Sequence, residues 1–278
     1  MKKRRTHRTS RSLLRRLYDS IVSKVDAHAL WTGALLLFGA YVLFFYIYFI
    51  SPYTSSWRGI YDDARYPSGF TIRGIDVSHH QGKINWSDVR HAEIGNEPVS
   101  FVFIKATEGA DLIDEAFDRN FREAQTNGLI RGAYHYFQPG TSAHAQADHF
   151  IRRVRLEVGD LPPVLDLETT GKLSAPALRD SALVWLRLME RHYGVKPILY
   201  TYHNFKTEFL NTPAFDDYPY WIAHYYVDTL RYEGKWKFWQ HTDRGKIDGI
   251  KGYVDINCYN GSMYDLQQLT IAEHTDDD

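Results

Sequence analysis

The sequence lacks the motifs that build covalent cross-links or cofactor sites. Its 278 residues include a single cysteine, Cys258, so no disulfide can form within the chain and packing must stabilise the fold. No glycine-rich phosphate loop follows the first strand-like segment, which argues against dinucleotide binding. The histidine spacings match no zinc motif, so we expect neither a metal ion nor another cofactor.

Charge is distributed unevenly, although the formal net charge is only −1. Nine basic and two acidic residues precede Leu30, whereas the rest of the chain carries 24 basic and 32 acidic residues. A protein that binds nucleic acid needs a basic face. The acidic body of this chain therefore argues against nucleic acid as a partner.

Residues 30–50 form an uninterrupted run without charge or proline, long enough to cross a bilayer as a helix. The basic excess precedes this run, which predicts a cytoplasmic tail over 1–29, a transmembrane helix over 30–50 and a periplasmic or extracellular remainder. A cleaved signal peptide is the alternative, but its apolar segment would be shorter and end at small residues. We further predict a linker over 51–70, a folded domain over 71–271 and an acidic tail over 272–278.

Strand-like and helical segments alternate after residue 70, which is typical of parallel βαβ units. Helices are predicted over 114–127, 142–155 and 175–193, the last with Ser174 as its cap, Pro176 in its first turn and Gly194 after its end. Helical segments thin out after Tyr202. We therefore expect an α/β fold, a TIM-like β/α barrel with reduced late helices, rather than an open doubly wound sheet. The eight predicted strands cover 72–77, 100–105, 129–137, 163–168, 197–202, 220–225, 236–240 and 253–256.

The fourth strand carries two acids, Asp166 and Glu168, in an apolar run. Alternate residues of a strand point to the same side, so the two carboxyl groups share one face. Burying unpaired carboxylates is costly and raises their pKa values, which suits acid–base chemistry. A pair of carboxyl groups is what glycoside hydrolysis requires.

Other strands end in acids, aromatic residues or histidines at the same relative place, where the active site of a β/α barrel lies. This ordered set resembles glycoside hydrolase family 25, the lysozymes of the Chalaropsis and phage-endolysin type. The resemblance covers roughly 72–261. The matching segments are Gly74-Ile-Asp-Val-Ser78, Phe103-Ile-Lys-Ala-Thr-Glu-Gly109, Tyr134-His-Tyr-Phe137, Asp166-Leu-Glu168, Trp221-Ile-Ala-His-Tyr225, Trp239-Gln-His241 and Val254-Asp-Ile-Asn257.

The resemblance implies cleavage of the β-1,4 bond between N-acetylmuramic acid and N-acetylglucosamine in peptidoglycan. It places acidic roles on Asp76, Asp166, Glu168 and Asp255. From the chemistry we assign Glu168 as general acid and expect Asp166 to stay ionised, either as nucleophile or by orienting the substrate's acetamido group, with retention. Six aromatic residues could stack on sugars or fill the barrel: Tyr134, Tyr136, Tyr202, Trp221, Tyr225 and Trp239.

Two other functions remain open at this stage. A non-catalytic barrel that binds peptidoglycan would have lost one of the acids, and all four are present. A chitinase-like hydrolase would show a longer Asp-rich motif on the fourth strand. We expect a monomer whose partners are peptidoglycan glycan strands and, through the N-terminal helix, the membrane. The predicted anchor favours remodelling of the cell's own wall over attack on other cells.

Overall fold

The computed structural model describes residues 27–46, 66–232 and 234–272. Residues 1–60 and 61–278 form two separate units. In the first unit a single described helix runs from Ala27 to Phe45. Within the described ranges, no helix is both long and apolar enough to cross a bilayer, so the predicted transmembrane helix is not confirmed. Residues 47–50 of that prediction, the tail over 1–26, the linker residues 51–65 and residues 273–278 lie outside the described residues.

The second unit contains a closed barrel of eight strands, as the sequence predicts. The ring runs β1, β3, β5, β6, β7, β8, β9 and β10, and the pairing of β1 with β3 closes it. Two short strands, β2 and β4, pair with β3 outside the ring. The strands are β1 Arg73–Val77, β2 Glu93–Ile94, β3 Glu97–Glu108, β4 Leu112–Ile113, β5 Ile130–Tyr136, β6 Val164–Asp166, β7 Ile198–Tyr202, β8 Tyr220–Ala223, β9 Trp236–Gly245 and β10 Val254–Tyr259.

The barrel departs from an all-parallel design at one place. β10 is antiparallel to both of its neighbours, β9 and β1, whereas the other neighbours in the ring are parallel. The chain can make this turn because no helix separates β9 from β10. Helices of the unit lie at Trp86–His91, Phe117–Thr126, Ala143–Arg153, Ala175–Tyr193, His203–Phe209 and Met263–Leu269.

The longest helix of this unit, Ala175–Tyr193, shows how local sequence sets the elements. Pro176 occupies its first turn, where the missing N–H costs nothing, and Gly194 ends it in the left-handed region at φ 72°, donating its N–H to the Glu190 carbonyl. Ser174 is the N-cap residue, as predicted, but its side chain makes no capping hydrogen bond. Buried residues at helical spacing face the barrel wall: Leu178, Ala182, Leu183, Trp185, Leu186 and Met189.

Two apolar clusters hold the barrel. The larger lies between the strands and the surrounding helices, and the smaller fills the barrel interior with residues such as Phe101, Phe103 and Phe238. Glycines leave room for these rings, since a Cβ on Gly74 would lie 2.5 Å from the Phe101 ring. The interior is therefore a packed core, and the carboxyl groups lie above it at one end.

Candidate active site

Asp76 and Asp255 face each other where the first and last strands meet. They are direct partners in the antiparallel register of β1 and β10. Asp76 Oδ2 accepts hydrogen bonds from Asn257 Nδ2 at 2.7 Å and from Gln240 Nε2 at 2.8 Å. Gln240 Nε2 also donates to Asp255 Oδ2 at 3.2 Å. The side-chain amide of Gln240 thus bridges carboxyl groups from opposite ends of the chain, and the amide of Asn257 binds Asp76 alone.

The surroundings raise the pKa values of these two acids to different extents. Burial raises the pKa of Asp76 to about 6, and the two amide donors oppose that rise. Burial raises the pKa of Asp255 further, to about 9, and the neighbouring charge of Asp76 adds to the effect. Near neutral pH the two carboxyl groups therefore share one proton.

Aromatic side chains fix the orientation of the two amides. Gln240 Oε1 accepts hydrogen bonds from the hydroxyl groups of Tyr200, at 2.7 Å, and Tyr225, at 2.8 Å. Trp221 Nε1 donates to Asn257 Oδ1 at 2.7 Å. Because each amide oxygen is occupied by a donor, each amide nitrogen must point at the carboxyl groups.

Sequence reasoning assigned no role to Gln240 or Asn257, since neither ionises. One signal was available for Asn257, which lies two residues after Asp255 and so shares its face of the strand.

Asp166 and Glu168 form the second acid pair. Asp166 ends β6 and is 6% exposed, whereas Glu168 lies just beyond the strand and is partly exposed. β6 is shorter than predicted, but the extended path continues because Leu167 N donates to Tyr200 O at 3.0 Å. The side chains of Asp166 and Glu168 hydrogen-bond to each other.

The surroundings do not favour the ionised Asp166 that we expected. Burial, followed by the charge of Glu168, raises the pKa of Asp166 well above its ordinary range. Burial also raises the pKa of Glu168, but its hydrogen bond with Asp166 acts in the opposite direction. Two carboxyl groups in contact cannot both ionise cheaply, so this pair also shares a proton.

The predicted sugar-stacking residues divide by exposure. Tyr202 is 38% exposed, and Tyr134, Tyr136 and Tyr225 are partly exposed near the acids. The predicted stacking role is wrong for Trp221 and Trp239, because they are only 2% and 1% exposed and offer no face to a ligand. Trp221 fills the barrel interior, and Trp239 belongs to the outer cluster, where its Nε1 donates to His224 O at 2.8 Å.

Histidines near the site have structural partners. His79 Nδ1 lies 2.7 Å from Asp114 Oδ2, and His135 is enclosed between Thr107 and Gln146 at 2.8 and 3.1 Å. Across the described part of the chain, no three His, Cys, Asp or Glu side chains are grouped in a way that could hold a metal ion.

Known proteins place this geometry in a family. The model of glycosyl hydrolases family 25 matches residues 75–250. The chain belongs to this family. Asp76, Asp166 and Glu168 lie inside the matched region, and Asp255 lies just beyond it.

Relatives and a solved structure agree with the family. The uncharacterized protein YegX of Escherichia coli K12 is 46% identical over 73% of this chain and 75% of its own length. Lysozyme M1 of Streptomyces globisporus is 36% identical over 73% of this chain and 72% of its own length. The crystal structure of the bacterial lysozyme from Streptomyces coelicolor superposes with a TM-score of 0.66 at 34% identity, covering 73% of this chain and 98% of that one.

Proposed function

We propose that the chain is a peptidoglycan hydrolase, an N-acetylmuramidase that cleaves the β-1,4 bond between N-acetylmuramic acid and N-acetylglucosamine. The observation that carries the proposal is the Asp166–Glu168 pair, a proton-sharing pair of carboxyl groups at the mouth of a closed barrel. Membership of family 25 and similarity to lysozymes from two Streptomyces species support the same substrate class.

Glu168 is the proton donor in this proposal. It is the more exposed member of the pair, so its carboxyl group can reach the glycosidic oxygen of a bound glycan. Burial raises its pKa, and its hydrogen bond with Asp166 gives it access to the shared proton. A carboxyl group with a raised pKa is suited to donate a proton during cleavage through an oxocarbenium-like state.

Asp166 takes part in the attack on the anomeric carbon. The two carboxyl groups interact directly, and the acids of retaining enzymes lie closer together than those of inverting enzymes, which supports retention. We favour a route in which Asp166 orients the substrate's 2-acetamido group. The acetamido oxygen attacks the anomeric carbon, and the glycosidic bond breaks as its electron pair takes the Glu168 proton. Direct nucleophilic attack by Asp166 is the alternative route.

Asp76 and Asp255 tune this chemistry from the facing strands. Asp76 contributes to the raised pKa values of both Asp166 and Glu168, because its negative charge faces them across the barrel mouth. The amides of Gln240 and Asn257 hold Asp76 in place. We propose that the Asp76–Asp255 pair helps the Asp166–Glu168 pair to retain its one shared proton.

The test is hydrolysis of purified peptidoglycan by the full chain and by Glu168→Gln. Loss of the general acid should lower the rate by at least about 100-fold while the protein stays folded. Glu208→Gln is the matched control, because Glu208 is exposed on the helix His203–Phe209. Near-normal hydrolysis by Glu168→Gln would remove Glu168 from the mechanism.

The same assay separates the two other functions. Binding to peptidoglycan without new reducing ends would support the non-catalytic barrel. Cleavage of chitin oligosaccharides in preference to peptidoglycan would support a chitinase-like enzyme.

We also propose that the N-terminal segment holds a monomeric enzyme at the cell membrane, with the barrel in the periplasm or outside the cell. The support is the uncharged sequence over 30–50 behind a basic tail, together with exposed side chains such as Leu37 and Phe38 on the described helix. Recovery of the full chain in the membrane fraction after a salt wash tests the location. Release into the wash would contradict it, and light scattering would report the oligomeric state.

A further inference from the structure

Lys105 is a cation placed among acids. It alternates along β3 with Phe101 and Phe103, which fill the interior, and so points into the barrel. Its side chain is 17% exposed. A charge at such a depth is costly unless other charges or hydrogen bonds compensate it, so its surroundings indicate its role.

The strand register brings Lys105 next to the Asp166–Glu168 pair. Glu108, Tyr136 and Asp166 form one row across β3, β5 and β6. Lys105 starts one row below, opposite Tyr134, but its ammonium group lies 5.1 Å from the centre of the Tyr136 ring. The side chain therefore rises toward the row that contains Asp166.

Glu108 holds the ammonium group from the other side. Lys105 Nζ lies 2.6 Å from Glu108 Oε2, and Gln138 Nε2 donates to Glu108 Oε1 at 2.8 Å. Gln138 is itself fixed, since Gln146 Oε1 accepts from its backbone N–H at 2.9 Å. The lysine thus stands between a braced carboxylate and the acid pair, and its charge interacts with both Asp166 and Glu168.

Other ionisable groups around the mouth are acidic or phenolic. Asp76 and Asp255 face the pair from β1 and β10. Tyrosines of β5 and β7, with one tyrosine just beyond β8, complete the wall, and burial raises the pKa of each: Tyr134, Tyr136, Tyr200, Tyr202 and Tyr225. Within the described site, only Lys105 supplies positive charge to balance these groups.

We propose that Lys105 is a positioning residue whose ammonium group, divided between Glu108 and the Asp166–Glu168 pair, sets how readily that pair gives up its shared proton. The proposal rests on the hydrolase function proposed above and adds a regulator of its pH range. Lys105 favours the ionised pair, and Glu108 weakens that effect by neutralising part of the lysine's charge.

This arrangement predicts opposite effects from the two halves of one ion pair. Lys105→Met removes the cation, so the acid pair should keep its proton to higher pH. Glu108→Gln leaves the cation without its carboxylate, so the pair should lose its proton at lower pH. An ion pair that only stabilises the fold would lower the melting temperature in both variants and leave the pH profile unchanged.

The experiment is the pH dependence of kcat on purified peptidoglycan, with the full chain and both variants. We expect the alkaline limb to move up by about one pH unit in Lys105→Met and down by a smaller amount in Glu108→Gln, since a nearby opposite charge shifts a carboxyl pKa by about 1–3 units. KM should change less than about twofold, and Lys105→Arg should restore most of the wild-type profile. Shifts in the same direction, or none, would overturn the proposal.

Two controls keep the outcome clear. Lys196 and Asp217 form an exposed ion pair at 3.7 Å, and Lys196 precedes β7 at the opposite end of the barrel, so Lys196→Met and Asp217→Asn should leave the profile unchanged. Carboxyl-carbon NMR titration of Asp166 and Glu168 reads the same shifts without turnover. If the wild type fails to hydrolyse peptidoglycan, the proposed function fails, and the titration still decides the role of Lys105.

Discussion

Asp255→Asn is expected to stabilise the fold while it removes a carboxyl group from the site. Burial and the charge of Asp76 raise the pKa of Asp255 to about 9 in the folded state. In the unfolded chain an aspartate has its ordinary pKa of about 3.9. At pH 7 the folded chain must therefore hold a proton that the unfolded chain releases, which costs up to about 4 kcal/mol of folding free energy.

The partial exposure of Asp255 reduces this cost, and we take about 2 kcal/mol as the expected gain. For a domain of this size that gain raises the melting temperature by about 4–8 °C. The folded pKa lies above the unfolded one, so the penalty is absent below about pH 4 and grows as pH rises toward 9. The stabilisation by Asp255→Asn should accordingly be present at pH 7–8 and vanish at pH 4.

Thermal unfolding followed by circular dichroism at pH 4, 6 and 8 measures this dependence. Asp180→Asn is the control, because Asp180 is exposed on the helix Ala175–Tyr193 and its replacement should change stability by less than about 0.5 kcal/mol. Destabilisation by Asp255→Asn at pH 8, or a gain that does not depend on pH, would refute the reasoning.

Two further predictions concern the barrel wall. Gly132→Ala should destabilise the fold by about 1–3 kcal/mol, because the new Cβ would lie 2.7 Å from the Phe103 ring; urea unfolding measures the loss, and an unchanged midpoint would contradict the packing. Burial lowers the pKa of His135 to about 3, so the folded state resists protonation of this imidazole. The unfolded chain takes up that proton below about pH 6.5, so the free energy of unfolding falls as pH falls from about 6.5 toward 3. His135→Gln should flatten the fall in melting temperature over that range, and an equally steep fall would argue against a buried neutral imidazole.

The sequence alone predicts the barrel because its strands, and the residues that begin and end its helices, are recognised from local sequence. All eight ring strands were expected, and Pro176 and Gly194 bound their helix as predicted. The antiparallel pairing of β10 was not predicted, since strand direction depends on how the chain returns after β9.

The site was harder to predict from the sequence, because residue types alone do not show how deeply a side chain is buried. Both faces of a barrel strand are buried, so alternation could not show that Trp239 lies on the outer face. The burial of Asp166, which disfavours its ionised form, follows from the closure of the ring. The orienting bonds to Gln240 and Asn257 come from Tyr200 on β7, Trp221 on β8 and Tyr225 just beyond β8, which lie 15 to 40 residues away in sequence.

The identity of the sugar at newly formed reducing ends tests the central claim most directly. Purified peptidoglycan is digested with the full chain, the products are reduced with borohydride, and the terminal sugar is identified by mass spectrometry. The account predicts reduced muramic acid at the new ends with the wild type and no new ends with Glu168→Gln. New ends at glucosamine, or equal cleavage by both proteins, would contradict it.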